Sequence, residues 1–363
     1  MTLLSNLLLY TPGHSGFSSY VRRVMPGIPG HRLLMDGEHG ARCSESDWLP
    51  ERLPSSRLQA LLHRLSLSQH GLNVKAVLAS AGLRSEDVAA VYSPYCDVLF
   101  ALPLVPQVIT CHDLTPLHCA NSRKARWRYR FWTPVHLRRA QKVIAISHFV
   151  ADQLMAFGVP AEKIEVVWNG VTIERDPVAA PASHDLVMLA RHDANKNVGF
   201  VVKAFAKLLE KKPGWPGRLV VVGRQGRQTA LLKRLQQQLP RPDRLLLIES
   251  MDSSALVELL RQSLALVSAS SMEGFDYPVL EAKAEGLPTL VSAIPVHKEL
   301  HHESSLFFDP MGNGEDLNHG VIELVNNHSL WNQLSIRGLK LAAALTLQRQ
   351  QEEIRTVINP LIQ

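Results

Sequence analysis

No stretch of this sequence stays apolar for the roughly 18 residues that a bilayer-spanning helix requires, so no transmembrane helix is predicted. The apolar start, MTLLSNLLLYTPG, lacks the basic flank and small-residue cleavage site of a signal peptide and reads instead as a buried first strand. Cysteine is scarce. Cys43, Cys96, Cys111 and Cys119 stand without Cys-x-x-Cys spacing, which argues for reduced thiols in a cytoplasmic setting rather than a disulfide framework. Cys111, His112, Asp113, His118 and Cys119 crowd together, but their spacing fits no standard zinc site, and no metal is expected. A Gly-x-Gly-x-x-Gly after the first strand is also missing, which argues against a nicotinamide dehydrogenase.

What is present suits a soluble α/β protein. With 363 residues, of which 46% are apolar and 20% charged, the chain is long enough for two domains and too apolar to be disordered. The formal net charge of +6 favours an anionic partner, whether nucleic acid, anionic lipid or a phosphorylated small molecule.

Short apolar runs alternate with amphipathic ones along the first half. LLLYT, RLLMD, DVAAVYSP, PQVITCHD and AQKVIAIS read as buried strands, and SSYVRRVMP, SRLQALLHRLS and HFVADQLMAFG as the helices between them. A second series follows the Pro- and Ala-rich segment 176–184. Its strands are LVMLA, RLVVVG, RLLLIES, LALVSAS and PTLVSA, and its helices include VGFVVKAFAKLLEK, TALLKRLQQQL, SSALVELLRQ and PVLEAKAE. This rhythm predicts two parallel sheets covered on both faces, that is, two Rossmann-like domains facing each other across a cleft. The expected divisions are 1–175, 176–344 and an amphipathic 345–363 that packs back on the first domain.

SMEGFDYPVLEAKAEGLP (271–288) carries the chemistry. It follows a strand, Pro278 suits the first turn of a helix, and Gly286 with Pro288 ends it. Backbone N–H groups near Phe275–Val279 then form an anion site at a helix N-terminus. Glu273 and Glu281 would repel an anion unless they accept hydrogen bonds from neutral hydroxyls beside it, as a sugar diol offers. In LARHDANKNVGFVVKAF, Arg191 and Lys196 follow a strand and precede a helix, where two cations can neutralise a diphosphate and stabilise it as it leaves. The plain alternative is that these are solvated surface charges.

EGFDYPVLEAKAEGLPTLVS resembles the signature of the family 4 retaining glycosyltransferases, of the GT-B fold, with Glu273 and Glu281 at the spacing of the family's Glu-x7-Glu pair. ARHDANKNV is similar to that family's Gly-Arg-x-x-x-x-Lys segment, ITCHDLTPL to its His-Asp-Leu loop, AISHFVADQL to its strand–helix pair and IEVVWNGV to its interdomain segment. The resemblance implies a metal-independent transfer of a hexose from a nucleoside diphosphate sugar to a glycan or lipid-linked saccharide, and the absence of Asp-x-Asp agrees with this. It implies that Glu281 holds the ribose and Glu273 the sugar hydroxyls. The backbone of Gly274, Phe275 and Asp276 would face the donor, and Arg191 and Lys196 would hold the diphosphate. His112 would approach the donor sugar and Gly16 the phosphates. It further implies that a leaving phosphate oxygen helps deprotonate the acceptor. Two departures stand out: Asp276-Tyr277 replaces the usual Gly-Leu, and Ala190 a common Gly. The HDLTPL and SHF contexts resemble mannosyltransferase-like members, which makes GDP-mannose the first donor to try.

Residues 123–142 hold eight Arg or Lys, four aromatics and no acid. Arg126, Trp127, Arg128, Arg130 and Trp132 are expected to face an anionic membrane surface, with the protein peripheral on the cytoplasmic face. Single-stranded nucleic acid is the competing partner for such a segment, and a solvated basic face the plain alternative; the resemblance favours the membrane and no nucleic acid. Two other functional readings remain open: a nucleotide-sugar epimerase or hydrolase of the same fold, and a non-catalytic nucleotide-sugar-binding subunit.

Overall fold

The computed structural model describes residues 2–10, 16–34, 74, 78–79, 82–115, 123–173 and 180–362. The chain forms two compact units, Met1–Gly170 with Leu347–Gln363, and Val171–Thr346.

The first unit contains β1 (Thr2–Leu7), α1 (Gly16–Val24), β2 (His31–Leu34), β3 (Val88–Ser93) and β4 (Gln107–Cys111). It continues with α2 (Arg123–Phe131), α3 (Thr133–Arg139), β5 (Lys142–Ala145), α4 (His148–Ala156) and β6 (Ile164–Val166). Its strands are all parallel, in the order β2-β1-β3-β4-β5-β6. The first strand is earlier than the run LLLYT suggested. TLLSNL forms β1, and the Asn6 carboxamide ends it by accepting from the Leu8 N–H at 3.4 Å while Tyr10 N–H turns back to Leu7 O. Apolarity alone placed the strand too late because Ser5 and Asn6 are polar yet buried. The helix expected from SRLQALLHRLS lies outside the described residues.

The second unit contains β7 (Leu186–Leu189), α5 (Val198–Lys211), β8 (Leu219–Val222), α6 (Thr229–Gln237), β9 (Leu245–Ile248), α7 (Ser253–Gln262) and β10 (Ala265–Ser268). It ends with α8 (Tyr277–Ala284), β11 (Thr289–Ser292), α9 (Pro295–His301), β12 (Ser305–Phe308), α10 (Glu315–Asn326) and α11 (His328–Ala344). The order β12-β11-β10-β7-β8-β9, counted from β7 as the first strand, is the 3-2-1-4-5-6 order of a doubly wound dinucleotide-binding sheet. Alternate residues of one strand serve opposite cores. Leu186 and Met188 pack with α5, α10 and α11, whereas Val187 packs with Val279, Ala282 and Leu260 of α8 and α7. Both faces are therefore apolar, and functional groups are left to the strand ends.

The last helix, α12 (Leu347–Ile358), belongs to the first unit. Buried Gln350 donates to Asn169 Oδ1 at 2.9 Å and accepts from the Gly170 N–H at 2.9 Å, and Gln351 donates to Arg23 O at 2.8 Å. The chain changes unit at Gly170–Val171 and again at Thr346–Leu347, where Val171 pairs with Thr346 in a parallel bridge. These points precede the boundary expected after 175 and follow the one expected after 344. Residues 176–179 of the expected linker, 176–184, lie outside the described residues. Cys96 and Cys111 carry free thiols.

Candidate active site

In an open parallel sheet, ligands gather where neighbouring strands lead to opposite sides, at the carboxyl ends. In the second unit that point lies between β7 and β10. The turn after β7, Ala194–Lys196, ends at Asn197, whose φ of 51° places it in the left-handed region that Asn tolerates. The loop after β10 is tied to this turn by the Ser271 N–H, which donates to Asn195 O at 2.8 Å. The loop after β8 closes on it too: a Cβ at Gly223 would sit 2.1 Å from Ala190 O, and one at Gly226 would sit 2.6 Å from Asp193 Oδ1. Only glycine allows that approach.

Three charged side chains meet there. Lys196 Nζ lies 2.6 Å from Glu273 Oε1 and 3.7 Å from Asp276 Oδ1. Asp276, the residue that departs from the resembled signature, has φ 68° and caps α8 without a side-chain hydrogen bond. Such a backbone costs a non-glycine residue roughly 1 kcal/mol or more, so its side chain must return the difference elsewhere. It does so inward. Its Oδ2 accepts from Ser268 Oγ at 2.5 Å and from His297 Nε2 at 3.0 Å, and only 2% of the side chain is exposed. The Asp276 side chain thus points inward and anchors the loop.

The two carboxylates are driven apart. Burial pushes the Glu273 carboxyl above its usual range, with Lys196 opposing and Asp276 adding to the rise. For Asp276 burial acts the same way, but Lys196 and the hydrogen bonds from His297 and Ser268 outweigh it and hold the carboxyl below the usual range. Lys196 is closer to Glu273, yet Asp276 is the more acidic because it has two further donors.

The other expected residues of this unit are placed less tightly. Arg191 follows β7, but its side chain is 60% exposed and pairs with Asp193 Oδ2 at 3.2 Å. Glu281 is half-buried on α8, one turn in from Pro278, and the Phe275 side chain is buried, packing at 5.5 Å against the Tyr277 ring. His297, from α9, was not singled out in the sequence. The only signal was the acid at 276, which once buried demands a partner.

At the end of the first sheet the groups are mostly neutral. Asn6 Nδ2 donates to Ser93 Oγ at 3.0 Å, Tyr95 OH donates to Asn6 Oδ1 at 2.8 Å, and Tyr20, Tyr92 and Thr110 hydroxyls form a chain with 3.1 Å links. His112 Nε2 donates to Pro94 O at 2.8 Å, its ring stands edge-on to Tyr20 at 4.5 Å, and burial lowers its basicity. A neutral ring with Nε2–H so engaged keeps Nδ1 as its acceptor. Gly16 begins α1, and a Cβ there would meet nothing within 4 Å. Among the described residues no group of three or more His, Cys, Asp or Glu is placed to hold a metal ion.

The basic aromatic segment forms α2 and α3. Trp127 and Phe131 are each 54% exposed, stand 5.5 Å apart, and flank exposed Arg130. Two expected surface residues are not there. Arg128 is only 25% exposed and pairs with buried Asp97, and Trp132 is half-buried. A helix has two faces, and in α2 the buried acid claims one of the arginines. Arg126 lies in α2 with its side chain outside the description, whereas Phe131 joins the exposed face although it was not singled out. Among the described residues no helix is long and apolar enough to cross a membrane.

Two family models match this chain, "Glycosyl transferases group 1" over 172–341 and "Glycosyltransferase Family 4" over 74–175. The chain belongs to the group 1 glycosyltransferases. Among the relatives of this glycosyltransferase is the O-antigen chain mannosyltransferase RfbU of Salmonella typhimurium, 26% identical over 59% of this chain and 60% of that protein. Another is the GDP-mannose:cellobiosyl-diphosphopolyprenol alpha-mannosyltransferase of Xanthomonas campestris, 28% identical over 55% of this chain and 52% of that protein. The matches span three fifths of RfbU and about a quarter (27%) of the Escherichia coli mannosyltransferase WbdA. The fold is GT-B, as in HepE of Anabaena, solved with UDP and glucose, which covers 99% of this chain and 100% of its own at a TM-score of 0.76 and 17% identity.

Proposed function

We propose that this glycosyltransferase moves a hexose, mannose in the first instance, from a nucleoside diphosphate sugar to a glycan or lipid-linked acceptor in cell-surface polysaccharide synthesis, with retention and without a metal. The observation that carries the reading is the junction of Lys196, Glu273 and Asp276 at the switch point of a dinucleotide-type sheet. A cation beside a carboxylate biased toward protonation suits a diphosphate next to sugar hydroxyls. Lys196 would offset the charge that grows on the diphosphate as the glycosidic bond breaks. Glu273 would orient the sugar hydroxyls, Glu281 the ribose, and Arg191 would swing from Asp193 to the diphosphate. The neutral acceptor Nδ1 of His112 and the hydroxyl chain of the first unit would suit hydroxyls rather than phosphate.

Mannose is favoured by the names of RfbU, WbdA and the Xanthomonas enzyme, whereas HepE was solved with UDP and glucose. Incubating the protein with GDP-mannose, UDP-glucose and related donors, with and without lipid-linked saccharides, tests the reading. Transfer to an acceptor, unaffected by EDTA, is expected. Conversion of the donor alone would identify an epimerase, release of sugar to water a hydrolase, and binding without turnover a non-catalytic subunit. The exposed Trp127, Arg130 and Phe131 favour an anionic membrane surface on the cytoplasmic side as the place where a lipid-linked acceptor is met.

A further inference from the structure

Asp276 introduces a carboxylate into a site that, on the reading above, receives a diphosphate. Its Oδ1 is 3.7 Å from Lys196 Nζ, and its Oδ2 is held by Ser268 and His297. We propose that His297 is a positioning residue that holds the Asp276 carboxylate away from Lys196, so that the ammonium stays available to the diphosphate of a bound nucleotide sugar. The inference rests on the nucleotide-sugar reading.

Hydrogen bonding fixes the orientation of the His297 ring. Its Nδ1 faces Ser292 O at 2.9 Å, a carbonyl that can only accept. Ser292 Oγ lies 3.2 Å from the same nitrogen, but its hydrogen is committed to Ser270 O at 2.6 Å. Nδ1 therefore donates. Nε2 faces the Asp276 carboxylate at 3.0 Å and donates as well. Both ring nitrogens thus face acceptors, so the ring is pinned between the Ser292 carbonyl and the Asp276 carboxylate and holds that carboxylate on the side away from Lys196.

Among the described residues, neither Lys283 nor His301 can replace it. Lys283 is buried and donates to Ser304 O, Ser304 Oγ and Ser305 Oγ, and burial holds it well below its usual range. The His301 ring is 6.1 Å from that of His297, and burial, then the charges of Lys283 and His297, push it toward the neutral form. Without His297, the buried Asp276 carboxylate would keep one neutral donor, Ser268, and Lys196 as its nearest cation among the described residues. A buried charge that loses its partner seeks another. Lys196 would close the 3.7 Å gap, and an incoming diphosphate would meet an uncompensated acid.

The test is a double-mutant cycle on the full chain, read by calorimetric titration with GDP and UDP and paired with thermal unfolding to establish that each variant folds. For whichever nucleotide the wild type binds, His297→Leu is expected to weaken affinity about tenfold. The Asp276→Asn/His297→Leu double variant should return to within about threefold of wild type, because no charge is then left uncompensated. His297→Gln, which keeps one donor, should fall between. If His297→Leu does not fold, His297→Gln and Asp276→Asn/His297→Gln complete the same cycle. Wild-type affinity in the single variants, or a double variant as weak as the single, overturns the inference, since a packing role would not be rescued by removing Asp276. A wild type that binds neither nucleotide removes the nucleotide-sugar reading itself and the inference with it, a failure the wild-type arm alone reveals.

Discussion

The two sheets end in opposite chemical styles. The first closes its strand ends with hydroxyls, a carboxamide and a neutral histidine, each paired within a few residues of a strand terminus. Its buried acid, Asp97, is answered by Arg128 and His136 and so is turned to holding α2 and α3. The second sheet ends in Lys196, Glu273, Asp276 and His297, ionisable groups drawn from three separate segments: the turn after β7, the loop after β10 and α9. Neutral groups can be buried once they are hydrogen-bonded, whereas a buried charge also demands a group of opposite charge, so the second cluster gathers acids around a cation. On the proposed function, phosphate would go to the second unit and hydroxyls to the first.

Removing the central cation should break that contrast most severely. Lys196→Ala is expected to lower turnover roughly a hundredfold, with a smaller loss of donor affinity, as measured by sugar transfer under saturating donor. Arg191→Ala, starting from an exposed pair, should cost less; a larger loss than at Lys196 would shift the diphosphate to the outer loop. Glu281→Ala should weaken binding of the free nucleoside diphosphate by about 1.5–3 kcal/mol, and unchanged affinity in titration calorimetry would remove its ribose role.

The first unit sharpens the comparison from the other side. Asn6→Ala breaks three buried hydrogen bonds and should lower unfolding stability by about 1–3 kcal/mol while nucleotide affinity stays at the wild-type value. A fall in affinity would mean that the neutral end also serves phosphate. The smallest effect concerns the surface of α2. Arg130→Glu should weaken attachment to vesicles rich in anionic lipid by about 1 kcal/mol, and adding Trp127→Ser should weaken it further. Equal flotation with neutral and anionic vesicles, or binding to single-stranded nucleic acid instead, would leave α2 without a membrane role.

Much of the architecture was legible in local pattern. LVML, LVVV and ALVS are apolar on every residue or nearly so, which only a strand covered on both faces can use. The turn after β7 and the Pro in the first turn of α8 were legible as well, so the positions of Lys196 after β7, Glu273 before α8 and Glu281 on α8 could be read from the sequence. Illegible were features that depend on direction. Arg128 and Arg130 are two residues apart in one basic run, and nothing local says that one turns to Asp97 and the other to solvent. β1 was misplaced because its polar Ser5 and Asn6 are buried, Asn6 being satisfied by residues nearly ninety positions away.

By itself, then, the sequence determined which segments are strands and helices, that they alternate in two series, and which charged residues lie at the ends of the second series. Those properties follow from periodicity and from the short-range preferences of Gly, Pro and Asn. Tertiary structure alone decided which of those charges meet. Whether Asp276 opposes a ligand or braces a loop depends on Ser268 and His297, brought to it by β10 and α9. A carboxylate's charge and role are set by its partners and its burial, and neither is a property of the chain until it has folded.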